Sequence, residues 1–429
     1  MSFIPTSYEL VSAATGTRRA DESGWTLGFA DEPPSLIRTA YAAKRLAVRD
    51  DLEGLYRFAD WLPLRRVLKG CGGPVTYRSE GLGEALGLEN LWITFNGWWP
   101  EKGAKTRTGT FKECEAYSVC GRMGEDFDKV LVVASAGNTA RAFARVCSEN
   151  RIPLLLFVPR DNLDALWFDA PLDPCVKLVC AASGGDYFDA IRMSQAASDP
   201  EIFLTEGGAK NVGRRDGMGT TVLSAVTAIG RIPDAYFQAV GSGTGAIAAW
   251  EAVMRFRADG RFGDGGMRLL VSQNRPFDPM RASWEADSRE FLVPDDGTAR
   301  HQVSAIYAKV LSNRRPPWGM AGGLYDALKA TGGSVLTAGN DEAAAAGKLF
   351  LELEGTDIAP AASVAVATLY DAVGSGLVGR HETVMLNITG GGMARFRADH
   401  AAYGLEPSEV FPLDAAAEDI AATVGGLYR

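Results

Sequence analysis

Residues 234–250 read DAYFQAVGSGTGAIAAW, and the fold follows from how that stretch is divided. Its first part, 234–240, is an apolar run of strand length, and the alanine-rich segment from Ala246 has helical character. Between them lies Gly241-Ser242-Gly243-Thr244-Gly245. A strand that turns through glycines directly into a helix is the repeating unit of a parallel α/β sheet. The turn is also a phosphate cup, because glycines let the backbone approach a ligand and the helix start supplies amide donors and positive potential. Gly241, Gly243 and Ala246 also fit a dinucleotide fingerprint. That reading is weaker: the position for a ribose-binding acid falls in 255–261, and the following strand ends Ser272-Gln273-Asn274.

The same unit recurs outward from this stretch. Upstream, 129–135 reads as a buried strand, followed by a helix with Ala140, Phe143, Ala144 and Cys147 on one face. Further strands are expected at 153–158, 176–181 and 202–205, with helical patterns between them. Downstream come an irregular stretch over 274–317, helices near 341–353 and 364–374, and a last strand at 383–388 that runs into Thr389-Gly390-Gly391-Gly392. Before residue 129 the pattern is less regular. Short strands are expected at 8–11, 25–27 and 90–93, with a helical stretch around 40–58. The fold class is therefore α/β, with mostly parallel, open twisted sheets covered by helices.

In such sheets ligands sit at the carboxyl ends of the strands. Ser135-Ala136-Gly137-Asn138-Thr139 occupies one such end and opens a helix, so its amides and hydroxyls can hold an anion such as a carboxylate. Thr389 occupies another, where a hydroxyl could bond a heterocycle nitrogen. A third stretch, Thr108-Gly109-Thr110-Phe111-Lys112, brings small and flexible residues to a lysine at an expected helix start. A partly buried lysine can act as a nucleophile towards an aldehyde. Ahead of it, 98–107 carries two indoles and the cations Lys102, Lys105 and Arg107; Lys105 and Arg107 are placed to bind an anionic substrate or leaving group.

The whole chain limits the alternatives. Its 429 residues, 46% hydrophobic, suffice for two or three domains and a large core. With 44 Lys plus Arg against 53 Asp plus Glu, a net charge of -9 argues against broad nucleic-acid or anionic-membrane surfaces. Six cysteines contain no CxxC pair, which points to a reduced protein without a structural metal. The start MSFIPTSYEL has neither a basic region nor a long apolar run, so a cytoplasmic location is expected.

A lysine after TGTF, an SxGN loop, a GSGTG cup and a late TGGG turn, in that order, resemble the tryptophan-synthase-like (fold type II) pyridoxal phosphate enzymes, threonine synthase-like branch, over most of the chain. The resemblance implies two α/β domains with pyridoxal 5'-phosphate in the cleft: an N-terminal extension over 1–35, a large cofactor-binding domain from 36–114 and 231–429, and a smaller mobile domain over 115–230. It makes Lys112 the covalent anchor and proton carrier, sets Asn138 against the ring hydroxyl, gives the phosphate to Gly241, Ser242, Gly243, Thr244 and Gly245, and turns Thr389 to the pyridine nitrogen. Thr110, Ser135, Gly137, Lys105 and Arg107 are the expected substrate residues.

The departures from that branch bear on the substrate. SFKDRG reads Thr110-Phe111-Lys112-Glu113-Cys114-Glu115, an acid before the lysine loop is replaced by Asn96, EGxKT reads Asp216-Gly217-Met218-Gly219-Thr220, and the late TGxGLKD reads Thr389 to Arg395. What the resemblance then implies is β-replacement on O-phospho-L-serine, with sulfite displacing phosphate to give L-cysteate for coenzyme M biosynthesis, in a homo-oligomer. A threonine synthase using O-phosphohomoserine and a catalytically silent binding protein of the same fold remain alternatives, and a dehydrogenase is a distant one.

Overall fold

The computed structural model describes residues 3–428. Two sheets dominate. The larger has the strand order Ser334–Ala338, Arg268–Asn274, Ala235–Ala239, Thr383–Ile388, Asn90–Phe95, Val75–Arg78; only the last strand is antiparallel to its neighbour. The smaller runs Phe203–Thr205, Val130–Ala134, Leu154–Pro159, Val176–Ala181, Glu409–Phe411, all parallel.

Both sheets are buried on both faces, which explains why their strands read as apolar runs without alternation. In the larger sheet Phe237, Leu270 and Leu386 point to one core, packed by Phe350, Val364 and Leu369. Tyr236, Leu269 and Met385 point to the other, against Val226, Val253 and Phe256. In the smaller sheet Leu131, Leu156 and Leu178 meet Phe143 and Val146 on one face, while Val132, Phe157 and Val179 meet Met193 and Ile420 on the other.

Several segments lie elsewhere than the sequence suggests. Residues 40–58 form no α-helix: strand Ile37–Tyr41 is followed by loop and by a 3-10 helix, Gly54–Trp61. The apolar residues there are used in a winding path, and Gly54, where the 3-10 helix begins, takes a φ of 59° that an α-helix could not pass through. Residues 25–27 are in no strand; instead the Trp25 indole donates to the Thr205 carbonyl at 3.0 Å. The supposedly irregular 274–317 contains helices Pro279–Glu285 and Asp296–Ala305. The strand Glu409–Phe411, in the segment expected with the larger domain, extends the smaller sheet. Helix Val212–Ile229, expected with the smaller domain, sends Val222, Leu223 and Val226 into the core of the larger sheet. At the N-terminus, strands Tyr8–Ser12, Arg18–Ala20 and Ile37–Tyr41 form a separate antiparallel sheet.

Each main sheet has one place where consecutive crossovers leave in opposite directions. In the larger it lies between Ala235–Ala239 and Thr383–Ile388; in the smaller, between Val130–Ala134 and Phe203–Thr205. Loops diverge there and leave a crevice at the strand ends.

Candidate active site

The two crevices open into one cavity of about 660 Å3. It is lined from the larger sheet by 241–245 and Thr389, and from the smaller by 134–139 and Thr205–Gly208. Residues 109–112 complete its wall. Its size is that of a site for a small organic ligand with a few converging polar groups.

Lys112 is the first residue of helix Lys112–Arg122, and the loop before it is stitched to the turn at 389–391. The Phe111 amide donates to the Thr389 carbonyl at 2.9 Å, the Gly391 amide to the Gly109 carbonyl at 3.1 Å, and Thr110 forms a bridge with Gly390. Gly109 has φ 67°, and a Cβ there would lie 2.5 Å from Met393 Sδ. Two distant segments are thus fixed by backbone bonds, which puts the lysine beside Thr389. The Lys112 amine donates to Glu115 Oε2 at 3.0 Å.

At the end of Val130–Ala134, Ser135 Oγ accepts the Gly137 amide at 3.1 Å and so folds the loop into the start of helix Asn138–Asn150. Asn138 Oδ1 accepts from Arg141 at 3.0 Å. Arg141, which the sequence did not single out, ties the lysine loop to this one. Its guanidinium donates twice to the Thr108 carbonyl, at 3.0 and 2.8 Å, and once to Ala165 at 2.7 Å, and lies over the Trp167 ring. Burial pushes it down to about 9, partly offset by Glu113, so it still carries its charge at neutral pH.

The cup at 241–245 runs into helix Thr244–Asp259, with Ser242 and Thr244 hydroxyls 2.8 Å apart. Gly243 has φ 76°. A Cβ on Gly241 would meet the Val310 carbonyl at 2.8 Å, and one on Gly245 would meet Gln238 Oε1 at 2.7 Å. Glycine is needed here for the backbone to pass its neighbours as well as to approach a ligand.

Two expected substrate cations are not in the cavity. Lys105 is exposed on the hairpin of Trp98–Trp99 and Ala104–Lys105. Arg107 is bound by Asp169, with Glu149 at 3.6 Å, so its charge is already neutralised. Lys105 sits on the hairpin seven residues before the lysine, and Asp169 draws Arg107, five residues before it, away from the cavity. Besides Lys112, the cations that do line the cavity are Arg141, Arg214, Lys309, Arg315 and Arg397. Arg214 is paired with Glu115 and Glu206, whereas Lys309, Arg315 and Arg397 have no carboxylate within ion-pair distance among the described residues. Arg315 and Arg397 lay in segments without regular sequence pattern, and only their side of the strand ends could have marked them. Asn96 and Asp216 face inward elsewhere: Asn96 bonds Asn387 at 3.0 Å, and Asp216 accepts from Thr39 and Tyr41 at 2.7 and 2.6 Å.

The arrangement fits pyridoxal phosphate. It offers a primary amine, a glycine and hydroxyl loop at a helix start, and a hydroxyl, Thr110 Oγ1, that is buried with no partner among the described residues. The comparison with protein families agrees: residues 77–390 match the family described as pyridoxal-phosphate dependent enzyme, and the chain belongs to it. Proteins named cysteate synthase place it more narrowly. That of Methanocella paludicola is 48% identical over 85% of both chains, that of Methanoculleus marisnigri 48% over 87% and 86%, and that of Methanosarcina barkeri 45% over 87% and 90%. At such identity and coverage this chain falls within the cysteate synthase family. Solved structures show the same fold at low identity: a pyridoxal 5'-phosphate-dependent aspartate racemase (TM-score 0.55, 15% identity, 74% of this chain and 90% of that one) and a threonine deaminase of Solanum lycopersicum (0.53, 17%, 76% and 87%).

Proposed function

We propose that this enzyme replaces the phosphate of O-phospho-L-serine by sulfite, giving L-cysteate and phosphate, with Lys112 as its cofactor-binding lysine. The supporting observation is the convergence of the lysine loop, the SxGN loop, the glycine cup and Thr389 on one cavity. Among its relatives, those named cysteate synthase carry the formation of the product, cysteate, in their name.

Pyridoxal phosphate, when bound, supplies an aldehyde that takes up amines and a ring that accepts the electron pair freed at the α-carbon. Residues 241–245 would hold its phosphate, Asn138 would bond its ring hydroxyl, and the neutral Thr389 hydroxyl would meet its nitrogen, a donor that suits β-elimination without a full ring charge. The SxGN loop, with Ser135, Gly137 and Thr110, holds the substrate carboxylate. Lys112 takes the α-proton onto its amine and later returns it to the same carbon. Lys309, Arg315 and Arg397 take over the role first expected of Lys105 and Arg107, attracting the leaving phosphate and the incoming sulfite. Closing of the smaller domain would exclude water from these steps.

The test is phosphate release from phosphoserine and, separately, from phosphohomoserine, each with and without sulfite, with the amino-acid product identified. Sulfite-dependent release from phosphoserine yielding cysteate supports the proposal. Sulfite-independent formation of threonine from phosphohomoserine refutes it. In Lys112→Ala the visible band of the bound cofactor is expected to vanish, and a spectrum like that of the unaltered protein would remove Lys112 from its role. We also place the enzyme in the cytoplasm as a homo-oligomer. Among the described residues no helix is long and apolar enough to cross a membrane; sedimentation of the purified chain tests the assembly.

A further inference from the structure

One carboxylate next to the lysine is not used by any step above. Glu115 lies one helical turn after Lys112, where the i,i+3 spacing brings the two side chains together. Its side chain is wholly buried; one oxygen accepts from the Lys112 amine at 3.0 Å, and the other lies 2.9 Å from Arg214. Arg214 is gripped on its far side by both oxygens of Glu206, Nε to Oε1 at 2.7 Å. Glu206 in turn directly follows the strand Phe203–Thr205 at the crevice of the smaller sheet.

The charges of this cluster balance only in one state. Arg214 and Glu206 neutralise each other, so Glu115 depends on Lys112. Whenever the Lys112 nitrogen is neutral, a buried site holds one negative charge in excess, and a proton on that nitrogen restores balance. The other titratable groups nearby do not supply that charge. Glu113 is turned away, accepting the Thr108 amide at 2.7 Å with Arg145 at 3.9 Å, and Tyr187 faces the cluster with its phenol held neutral by burial. Burial pushes the Glu206 carboxyl up, and the Arg214 guanidinium beside it opposes that rise.

We propose that Glu115, fixed by Arg214 and Glu206, is the positioning residue that holds the Lys112 ammonium in place between removal of the α-proton and its return. The proton leaves the α-carbon for the Lys112 nitrogen, stays on that nitrogen while hydrogen-bonded to Glu115, and goes back to the α-carbon. No other group gains or loses a proton in the exchange. Arg214 on the far oxygen, itself paired with Glu206, fixes the carboxylate so that the amine can turn between Glu115 and the α-carbon. This rests on Lys112 being the cofactor lysine.

The test uses the full chain with Glu115→Gln and with Glu115→Asp, whose shorter side chain keeps the charge for Arg214 but retreats from Lys112. Acetylation of Lys112 by acetic anhydride, followed by peptide mass spectrometry across pH on cofactor-free protein, reads its proton affinity. Loss of the carboxylate disfavours the ammonium, so the midpoint should fall by about one pH unit or more in Glu115→Gln, roughly tenfold more neutral amine, and by less in Glu115→Asp. In the loaded enzyme, α-deuterated phosphoserine should give product that keeps part of its label in the unaltered chain and loses it to solvent in Glu115→Gln, with kcat lowered more than KM. Should Glu115→Gln fail to fold, the Glu115→Asp midpoint and label retention decide. Borohydride fixation of the cofactor identifies its lysine: attachment elsewhere overturns the site reading and this proposal together, whereas attachment at Lys112 with an unmoved midpoint overturns this proposal alone.

Discussion

Replacing Gly245 by Ala tests whether the cup is held open by the core beneath it. The new methyl would stand 2.7 Å from Gln238 Oε1, 2.8 Å from its Nε2 and 3.0 Å from the Phe111 ring. Gln238 cannot simply swing aside. Its Oε1 accepts from the Tyr236 hydroxyl and, at 3.1 Å, from Asn387, and Asn387 also bonds Asn96 at 3.0 Å, all in a buried layer under the loop. Two outcomes compete. If Gln238 yields, buried donors lose their acceptor at about 1 to 3 kcal/mol; if the helix start yields, overpacking costs a similar ~1 to 3 kcal/mol and the cup shifts. Either way the apparent stability in urea should drop by about 2 kcal/mol, and if the cup shifts, cofactor affinity should weaken by roughly tenfold or more. Titration of cofactor-free protein with pyridoxal phosphate measures the second effect. A cycle with Gln238→Ala isolates the cause: with the amide gone, Gly245→Ala should cost little, leaving a coupling of at least about 1 kcal/mol. Costs that add within about 0.5 kcal/mol would show that Gln238 does not hold the cup, and the argument for Gly245 would fail.

Four further substitutions test how the charged groups are used. Lys105→Ala should leave both stability and kinetics within about 0.5 kcal/mol, whereas Arg107→Ala should cost about 1 to 3 kcal/mol in urea, because buried Asp169 is left with only Arg145 at 3.9 Å, without raising KM for phosphoserine; a raised KM at full stability would return Arg107 to the substrate. Burial pushes Asp21 up, but Arg122 at 2.7 Å outweighs it and holds the carboxyl below its ordinary 3.8, so its stabilising contribution is present above that pH and is lost as pH falls through the lower folded value. Trp25 fluorescence, reporting on the ring over which Arg122 lies, should show an acid transition that Asp21→Asn removes, and an identical transition in that variant would break the link. Asp186 caps helix Tyr187–Ser194 and also pairs across the cleft with Arg300 at 2.9 Å and Arg314 at 2.6 Å. Asp186→Asn keeps a capping oxygen and removes the ion pairs, so KM should rise by roughly tenfold, about 1.4 kcal/mol, with little loss of thermal stability; unchanged KM would mean the pairs do not secure the cleft.

What could be read from the sequence, and what could not, divides along the distance over which each constraint acts. The strand, glycine turn and helix of 234–250 are set by neighbours in sequence, so their pattern announces both the sheet and the cup. Lys112 and Asn138 could be found for the same reason, since each begins a helix after a loop of small residues. The stretch 40–58 misled because its apolar spacing serves two different cores: Leu46 and Phe58 enter that of the larger sheet, while Leu55 joins that of the smaller. Spacing alone cannot distinguish one helical face from several partners met along a winding path. Charges are harder still. Arg107 precedes the lysine closely enough to look like a substrate residue, yet Asp169, 62 positions later, neutralises it. Arg141 gave no local sign, and its hydrogen bonds to Thr108 and Asn138 hold the lysine loop to the SxGN loop. Glu115 is the sharpest instance. In the sequence it is one of two acids lost among the departures after Lys112, but with Arg214 and Glu206 brought in from 91 to 99 residues away it becomes the ion-pair partner of the Lys112 amine. A cation or an acid near a recognised motif therefore has no assignable role until the partner that claims its charge is known. Backbone that must pass a glycine carries its requirement in the sequence itself.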